Sequence, residues 1–172
     1  MNIAYTMAPD RGNTDLLLAQ LAETLAAQAV TCCGTVQINT DCPTGHCDMD
    51  VQVLPDGPTL RISQNLGSGS KGCRLDPSVL EEAVELVGHQ MVAGADLLIV
   101  NKFGKHEAEG RGFRTLIADA LMRDMPVLVG VNALNLPAFE AFVGGEVTQL
   151  APNLDELATW CRDKVSQMQS AA

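Results

Sequence analysis

Positive charge is scarce in this chain. Eleven Lys and Arg stand against 21 Asp and Glu, a formal net charge of −10 at pH 7. So acidic a surface repels phosphate backbones and anionic headgroups, which argues against bulk binding to nucleic acid or a lipid surface. Long apolar runs are missing too. The longest, such as Asp96-Leu-Leu-Ile-Val100, are strand-sized, far below the roughly 20 residues that span a bilayer. Met1-Asn2-Ile3 leads straight into a strand-like run without the basic segment of a signal peptide, so a cytoplasmic location is expected. Internal repeats, low-complexity linkers and a domain break are also lacking. Apolar residues make up 47% of the 172 positions, enough for the core of the one domain expected over residues 1–172.

Paired short C-x₂-C knuckles are absent from the six cysteines. Without an export signal a disulfide framework is not expected. Cys32, in an apolar strand, and Cys161, in a C-terminal helix, read as buried thiols. Cys42, His46, Cys47 and distant Cys73 are soft-ligand types. Adjacent His46 and Cys47 fit one tetrahedral centre poorly, so no metal site is assigned. His89 falls on the polar side of its helix and reads as a surface residue.

What is present is a strand–helix rhythm. Ile3–Met7 is a short apolar strand, and Thr14–Gln28 repeats Leu16, Leu17, Leu21 and Leu25 at helical spacing. Val30–Ile38 is β-branched. Asp50–Leu54 and Thr59–Ser63 alternate around Pro55-Asp-Gly-Pro58, a hairpin signal that reads as an excursion from the main sheet. Asp76-Pro77 opens a helix as cap and first residue, with Leu80, Val84, Val87 and Met91 on one face and an end near Gly94. Strands at 96–100, 126–131 and 147–150 alternate with helices at 113–123, 137–143 and after Asn153. Leu116, Ile117, Ala120 and Leu121 of the 113–123 helix are expected inward. Fully apolar strands flanked by helices predict an α/β fold of three layers, a mostly parallel sheet covered on both faces.

In such sheets ligands gather at the carboxyl ends of the strands, where three loops stand out. Ala8–Thr14 contains Arg11-Gly12-Asn13-Thr14, with Gly12-Asn13-Thr14 where a phosphate-cradling Walker A loop has Gly-Lys-Thr. Its first glycine is absent and its lysine is Asn13; alone, these residues equally make a turn and a helix cap. The second loop runs from Asn101 to Phe113. Nucleotide hydrolases place a metal-binding carboxylate and often a basic Glu at the end of this strand. Asn101 and Lys102 occupy those places, and Lys102 sets a fixed positive charge where the metal would lie. Glu107 and Glu109 remain nearby as base or as partners of Lys105 and Arg111. His106 suits an anion contact or a loop cap. The third loop, Leu66–Arg74, is glycine-rich and suits either an anion-binding nest of amides or a surface loop. Six of the eleven cations, Lys71, Arg74, Lys102, Lys105, Arg111 and Arg114, fall in the last two loops and the helix start that follows. That concentration favours a local anion site, although a solvated helix face also accommodates Arg114.

Cys47-Asp-Met-Asp50, Arg61-Ile-Ser-Gln64, Gly72-Cys-Arg-Leu-Asp-Pro77 and the stretch Asn101–Phe113 resemble the signatures of a bacterial family of unknown function, over about residues 1–145. The family looks similar to the small P-loop nucleoside triphosphatases of the thermophile and cancer-related type, whose corresponding strand ends in D-E-x-G-K-x-E. On that resemblance Asn101 and Lys102 replace the acidic pair, while Gly104, Lys105 and Glu107 keep their places. It implies a P-loop-like fold with an inserted hairpin and a phosphate-type site, while the departures at Asn101 and Lys102 argue against hydrolysis. Members also look associated with molybdate uptake, which implies an oxyanion such as molybdate or tungstate, or a nucleotide, as ligand. Three readings stay open: a non-hydrolysing binder of a small anion at Arg11, Gly12, Asn13, Thr14, Lys71, Arg74, Asn101, Lys102, Gly104, Lys105, Glu107 and Arg111; a nucleoside triphosphatase using unusual residues; and a regulator or scaffold for a protein partner. A homo-oligomer is compatible with each.

Overall fold

The computed structural model of the chain describes residues 2–10, 12–40, 48–64, 75–145 and 147–171. The elements follow in the order β1 (Ile3–Thr6), α1 (Asn13–Ala27), β2 (Cys32–Thr40), β3 (Asp48–Leu54), β4 (Thr59–Arg61), α2 (Pro77–Gly94), β5 (Leu97–Phe103), α3 (Lys105–Ala108), α4 (Arg114–Met122), β6 (Val127–Val131), α5 (Leu136–Val143), β7 (Thr148–Leu150) and α6 (Leu154–Ala171). The strands form one seven-stranded sheet in the order β4-β3-β2-β5-β6-β1-β7. Its β2-β5-β6-β1-β7 part is parallel, and the hairpin strands are antiparallel.

Period-two alternation sorts the strand side chains into two cores. Ile3, Tyr5, Leu98, Val100, Val127 and Val129 pack with Leu80, Val87, Met91, Ile117 and Phe139 of α2, α4 and α5. Ala4, Leu97, Ile99 and Leu128 face the other way and pack with Leu18, Leu21 and Leu25 of α1 and Leu157, Cys161 and Val165 of α6. This is the three-layer arrangement expected from the sequence. Asp76 caps α2, accepting from the amides of Ser78 and Val79. Asn153 does the same for α6 through Asp155 and Glu156.

Several expectations need correction. The hairpin is not an excursion: β3 pairs with β2 over seven residues, from Gly34↔Leu54 to Thr40↔Asp48, and extends the main sheet. Strand β2 begins at Cys32 rather than Val30, and β5 runs on through Asn101, Lys102 and Phe103, which the sequence placed in a loop. A short helix, α3, then interrupts that loop. On α1 the buried stripe is Asp15, Leu18, Ala22 and Leu25 with Thr14 and Leu21, whereas Leu16 is exposed. Leu17 is only partly buried. On α2, Ala83 takes the deeply buried place expected of Val84, which packs at the margin. Leu121 of α4 is likewise partly buried. Cys32, Cys33 and Cys161 are free and buried, as expected for Cys32 and Cys161. Cys42, His46, Cys47 and Cys73 lie outside the described residues.

Candidate functional site

The site forms where β1 and β5 end, with β6 between them. Gly130 of β6 stands level with Thr6 of β1 and Asn101 of β5. A Cβ at Gly130 would lie 2.9 Å from Leu18 Cδ1, 3.1 Å from Thr14 Cγ2 and 3.6 Å from the Asn101 side-chain amide. The missing side chain lets the start of α1 settle onto the sheet. Gly12 precedes α1 with φ of 86°, a left-handed conformation that glycine adopts without strain. Asn13 bonds Asp10 through its amide side chain at 3.3 Å. The Thr14 hydroxyl accepts from the Ala8 amide at 3.0 Å and closes the loop over the helix start.

A buried polar cluster lies under that turn. Asp15 is only 2% exposed although charged. Lys102 Nζ meets its two carboxylate oxygens at 3.3 and 3.4 Å. With its amide oriented to match its neighbours, Asn101 donates to Asp15 Oδ1 at 2.9 Å and its oxygen accepts from the Gln37 amide at 2.9 Å. Successive residues of a regular strand face opposite sides, so Asn101 and Lys102 should not both meet one carboxylate. The pairing of β5 with β6 slips between Asn101 and Phe103, and Lys102 lies inside that slip. An irregularity of this kind re-aims a side chain.

The loop beyond β5 is held by two other carboxylates. Glu107, 2% exposed, accepts from the Gly104 amide at 2.9 Å and the Phe113 amide at 3.3 Å. Burial pushes its pKa up, against the pull of those amides. Gly112, at φ of 59°, leaves room for this carboxylate, which a Cβ there would strike. Glu81 of α2 meets His106 Nε2 at 2.9 Å and accepts from the Gly112 amide at 3.0 Å. The His106 hydrogen bond chiefly pulls Glu81 below the ordinary carboxylate value. Lys105 and Arg111 both pair with Glu109 at the surface. Arg114, rather than sitting on a solvated face, lies over the Phe142 ring at 4.4 Å.

The structure thus gathers Gly12, Asn13, Thr14, Asn101 and Lys102 at one helix start, and Gly104, Lys105, Glu107 and Arg111 on the adjoining loop. Glu107 is committed to backbone amides and His106 to Glu81. Arg11, Lys71 and Arg74 lie outside the described residues. Asp15, Gly130 and Glu81 were missed. Asp15 had a readable signal, since residues 15, 18, 22 and 25 form one helical stripe and an acid on it must find a partner. A groove of about 450 Å³ elsewhere is lined by Leu150, Trp160, Asp155, Glu156 and Asp163; its carboxylates suit no anion. Among the described residues no three His, Cys, Asp or Glu gather for a metal. No helix among them is long and apolar enough to cross a membrane.

Residues 3–160 match the family described as "Protein of unknown function (DUF2478)". The chain belongs to this family. It is similar to the Molybdenum import ATP-binding protein ModC 2 of Bradyrhizobium diazoefficiens, 34% identical over 168 residues. That match covers 96% of the chain but 19% of the relative, so the chain spans about a fifth of that protein's length. Its fold is similar to the solution structure of a human cancer-related nucleoside triphosphatase, with a TM-score of 0.61, 16% identity and 98% of each chain covered. The three-layer α/β fold read from the order of elements, and the likeness in fold to a small nucleoside triphosphatase that the resemblance implies, are therefore observed.

Proposed function

We propose that this DUF2478 chain binds a small phosphate-type anion at the start of α1 and does not hydrolyse it. The ligand is the phosphate group of a nucleotide or a tetrahedral oxyanion such as molybdate or tungstate. One observation carries the reading: among the described residues, the ammonium of Lys102 stands at this helix start, held on Asp15 at 3.3 Å. An α-helix start offers amides and a partial positive charge to an anion. An attached ammonium beside it supplies neutralising charge without a divalent metal. A relative that imports molybdenum and binds ATP, and a fold neighbour that acts on nucleoside triphosphates, support an anion of this class. Asn13 and Asn101 stand where a hydrolase has its phosphate lysine and metal-binding carboxylate. Losing such charge stabilisation raises the barrier by several kcal/mol.

Thermal melting with ATP, GTP, phosphate, molybdate and tungstate tests this. A ligand that prefers the native state raises the melting temperature by mass action, and the shift should be equal with Mg²⁺ and with EDTA. In EDTA, Lys102→Ala and Arg111→Ala should each remove much of the shift, since a charge-assisted contact contributes about 1.5–3 kcal/mol. Arg162→Ala, on the exposed face of α6, should leave it intact. Wild-type binding that requires Mg²⁺, or hydrolysis at roughly one turnover per second, overturns the proposal. A flat panel leaves the protein-partner reading standing.

A further inference from the structure

The groove of about 450 Å³ opens between the end of β7 and the outer side of α6, lined by Leu150, Asp155, Glu156, Thr159, Trp160 and Asp163. Trp160 is the chain's single tryptophan. It is half-buried and packs against the core under α1 and α6. With Leu150 it makes the lining largely apolar. The three acids are not alike. Glu156 accepts from the Ala151 amide at 2.9 Å, and with Asp155 it stands in the first turn of α6, where acids suit the helix dipole. Asp163 lies two turns further on, beyond that effect. Among the described residues, the carboxylates of Asp155 and Asp163 meet no cation and no hydrogen-bond donor. Arg162, beside Asp163 in sequence, donates instead to the Thr159 hydroxyl at 3.2 Å. A half-exposed indole beside two unpaired carboxylates is suited to a flat cation. A guanidinium is weakly hydrated, stacks on an indole and bonds carboxylate oxygens through its N–H fork.

We propose that this groove docks an arginine-bearing segment of a partner protein, its guanidinium on Trp160 and paired with Asp155 and Asp163. Charge complementarity selects the cation, because the rim carries three acids on a chain of net charge −10. The apolar lining selects a protein segment, since it takes an apolar side chain next to the arginine. A polyamine has charge but no such side chain. Strand β7 is three residues long, so the occupant is held by its side chains rather than added to the sheet as a strand. Tryptophan and arginine are the residues that most often anchor protein contacts. This docking surface is independent of the anion site at the start of α1.

Because Trp160 is the one tryptophan, its emission reports on this groove alone. The full chain is titrated with a short capped peptide of alternating leucine and arginine. Trp160 emission should change saturably, and added salt should weaken the binding. The same peptide with lysine for arginine should bind at least roughly threefold more weakly, and the version with glutamate should not bind. Fluorescence anisotropy of the labelled arginine peptide then compares variants. Asp155→Asn and Asp163→Asn should each weaken binding roughly three- to fivefold, and Trp160→Leu roughly tenfold. Glu85→Gln, on an exposed position of α2 across the sheet, should bind as wild type does, which separates docking from general attraction to an acidic surface. The proposal is wrong if the arginine peptide leaves Trp160 emission unchanged, or if the groove variants bind like Glu85→Gln. It is also wrong if spermidine binds as tightly as the peptide, which would make the site one for polyamines. An emission change on raising the protein concentration without peptide would assign the groove to a second copy of the chain and overturn the proposal too.

Discussion

Gly130 shows how a residue without a side chain defines a site. It is level with Thr6 and Asn101, and its open space is taken up by Leu18 and Thr14. Gly130→Ala should push α1 off β6. Over-packing of this kind costs about 1–3 kcal/mol, measurable by urea unfolding, and any anion-induced melting shift should shrink with it. The two loop carboxylates make opposite predictions in pH. Glu81 is held below its ordinary value near 4.5, chiefly by His106. Its contribution is therefore present above the unfolded value and lost as pH falls through the lower, folded one. Glu107 is raised by burial, so its contribution is complete below the unfolded value and lost as pH rises through the higher, folded one. Denaturant unfolding at a series of pH values should show a flatter acid limb for Glu81→Gln. It should show a smaller loss on the rise above about pH 4.5 for Glu107→Gln. Identical curves for the variants and wild type would remove both carboxylates from the pH response.

At the scale of elements, most of the fold was legible and the site was legible in part. Apolar runs such as Leu97–Val100 and Val127–Val131 are buried on both faces, so their composition alone places them mid-sheet. The caps Asp76 and Asn153 were readable because capping chemistry is local. Legibility failed where a contact depends on a partner distant in sequence. Leu16 and Leu18 are equally apolar, and only the packing of α1 against β6 decides which turns inward. Asn101 and Lys102 read as a loop because polar residues rarely continue a buried strand. Here Asp15, 87 residues away from Lys102, receives them. The compact wiring of the β5 loop, through Glu107 and through Glu81 of α2, likewise leaves no local pattern.

Across the molecule, thiol chemistry reports on both cores at once. Cys33 lies in the core under α2 and α4, and Cys32 and Cys161 lie in the core under α1 and α6. Burial pushes Cys32 and Cys33 up to about 12 and raises Cys161 as well. Thiolate is the reactive form, so at pH 8 all three should resist alkylation in the native protein and react on unfolding. Peptide mass mapping after iodoacetamide distinguishes these positions from the other cysteines. Rapid native labelling of Cys33 would mean that the α2–α4 face opens.

The sheet's two margins have a consequence for life in a crowded solution. β4 and β7 are each three residues long. On β4, Arg61 is engaged by Asp48 and Asp50 of the neighbouring strand. Among the described residues, a foreign strand looking for a row of backbone donors and acceptors finds a stub at either end, and at one of them a charged clasp lies beside it. Short, charged borders are how sheets avoid recruiting further strands. With like charge repelling like across a −10 surface, the chain can carry a seven-stranded sheet without seeding a fibre.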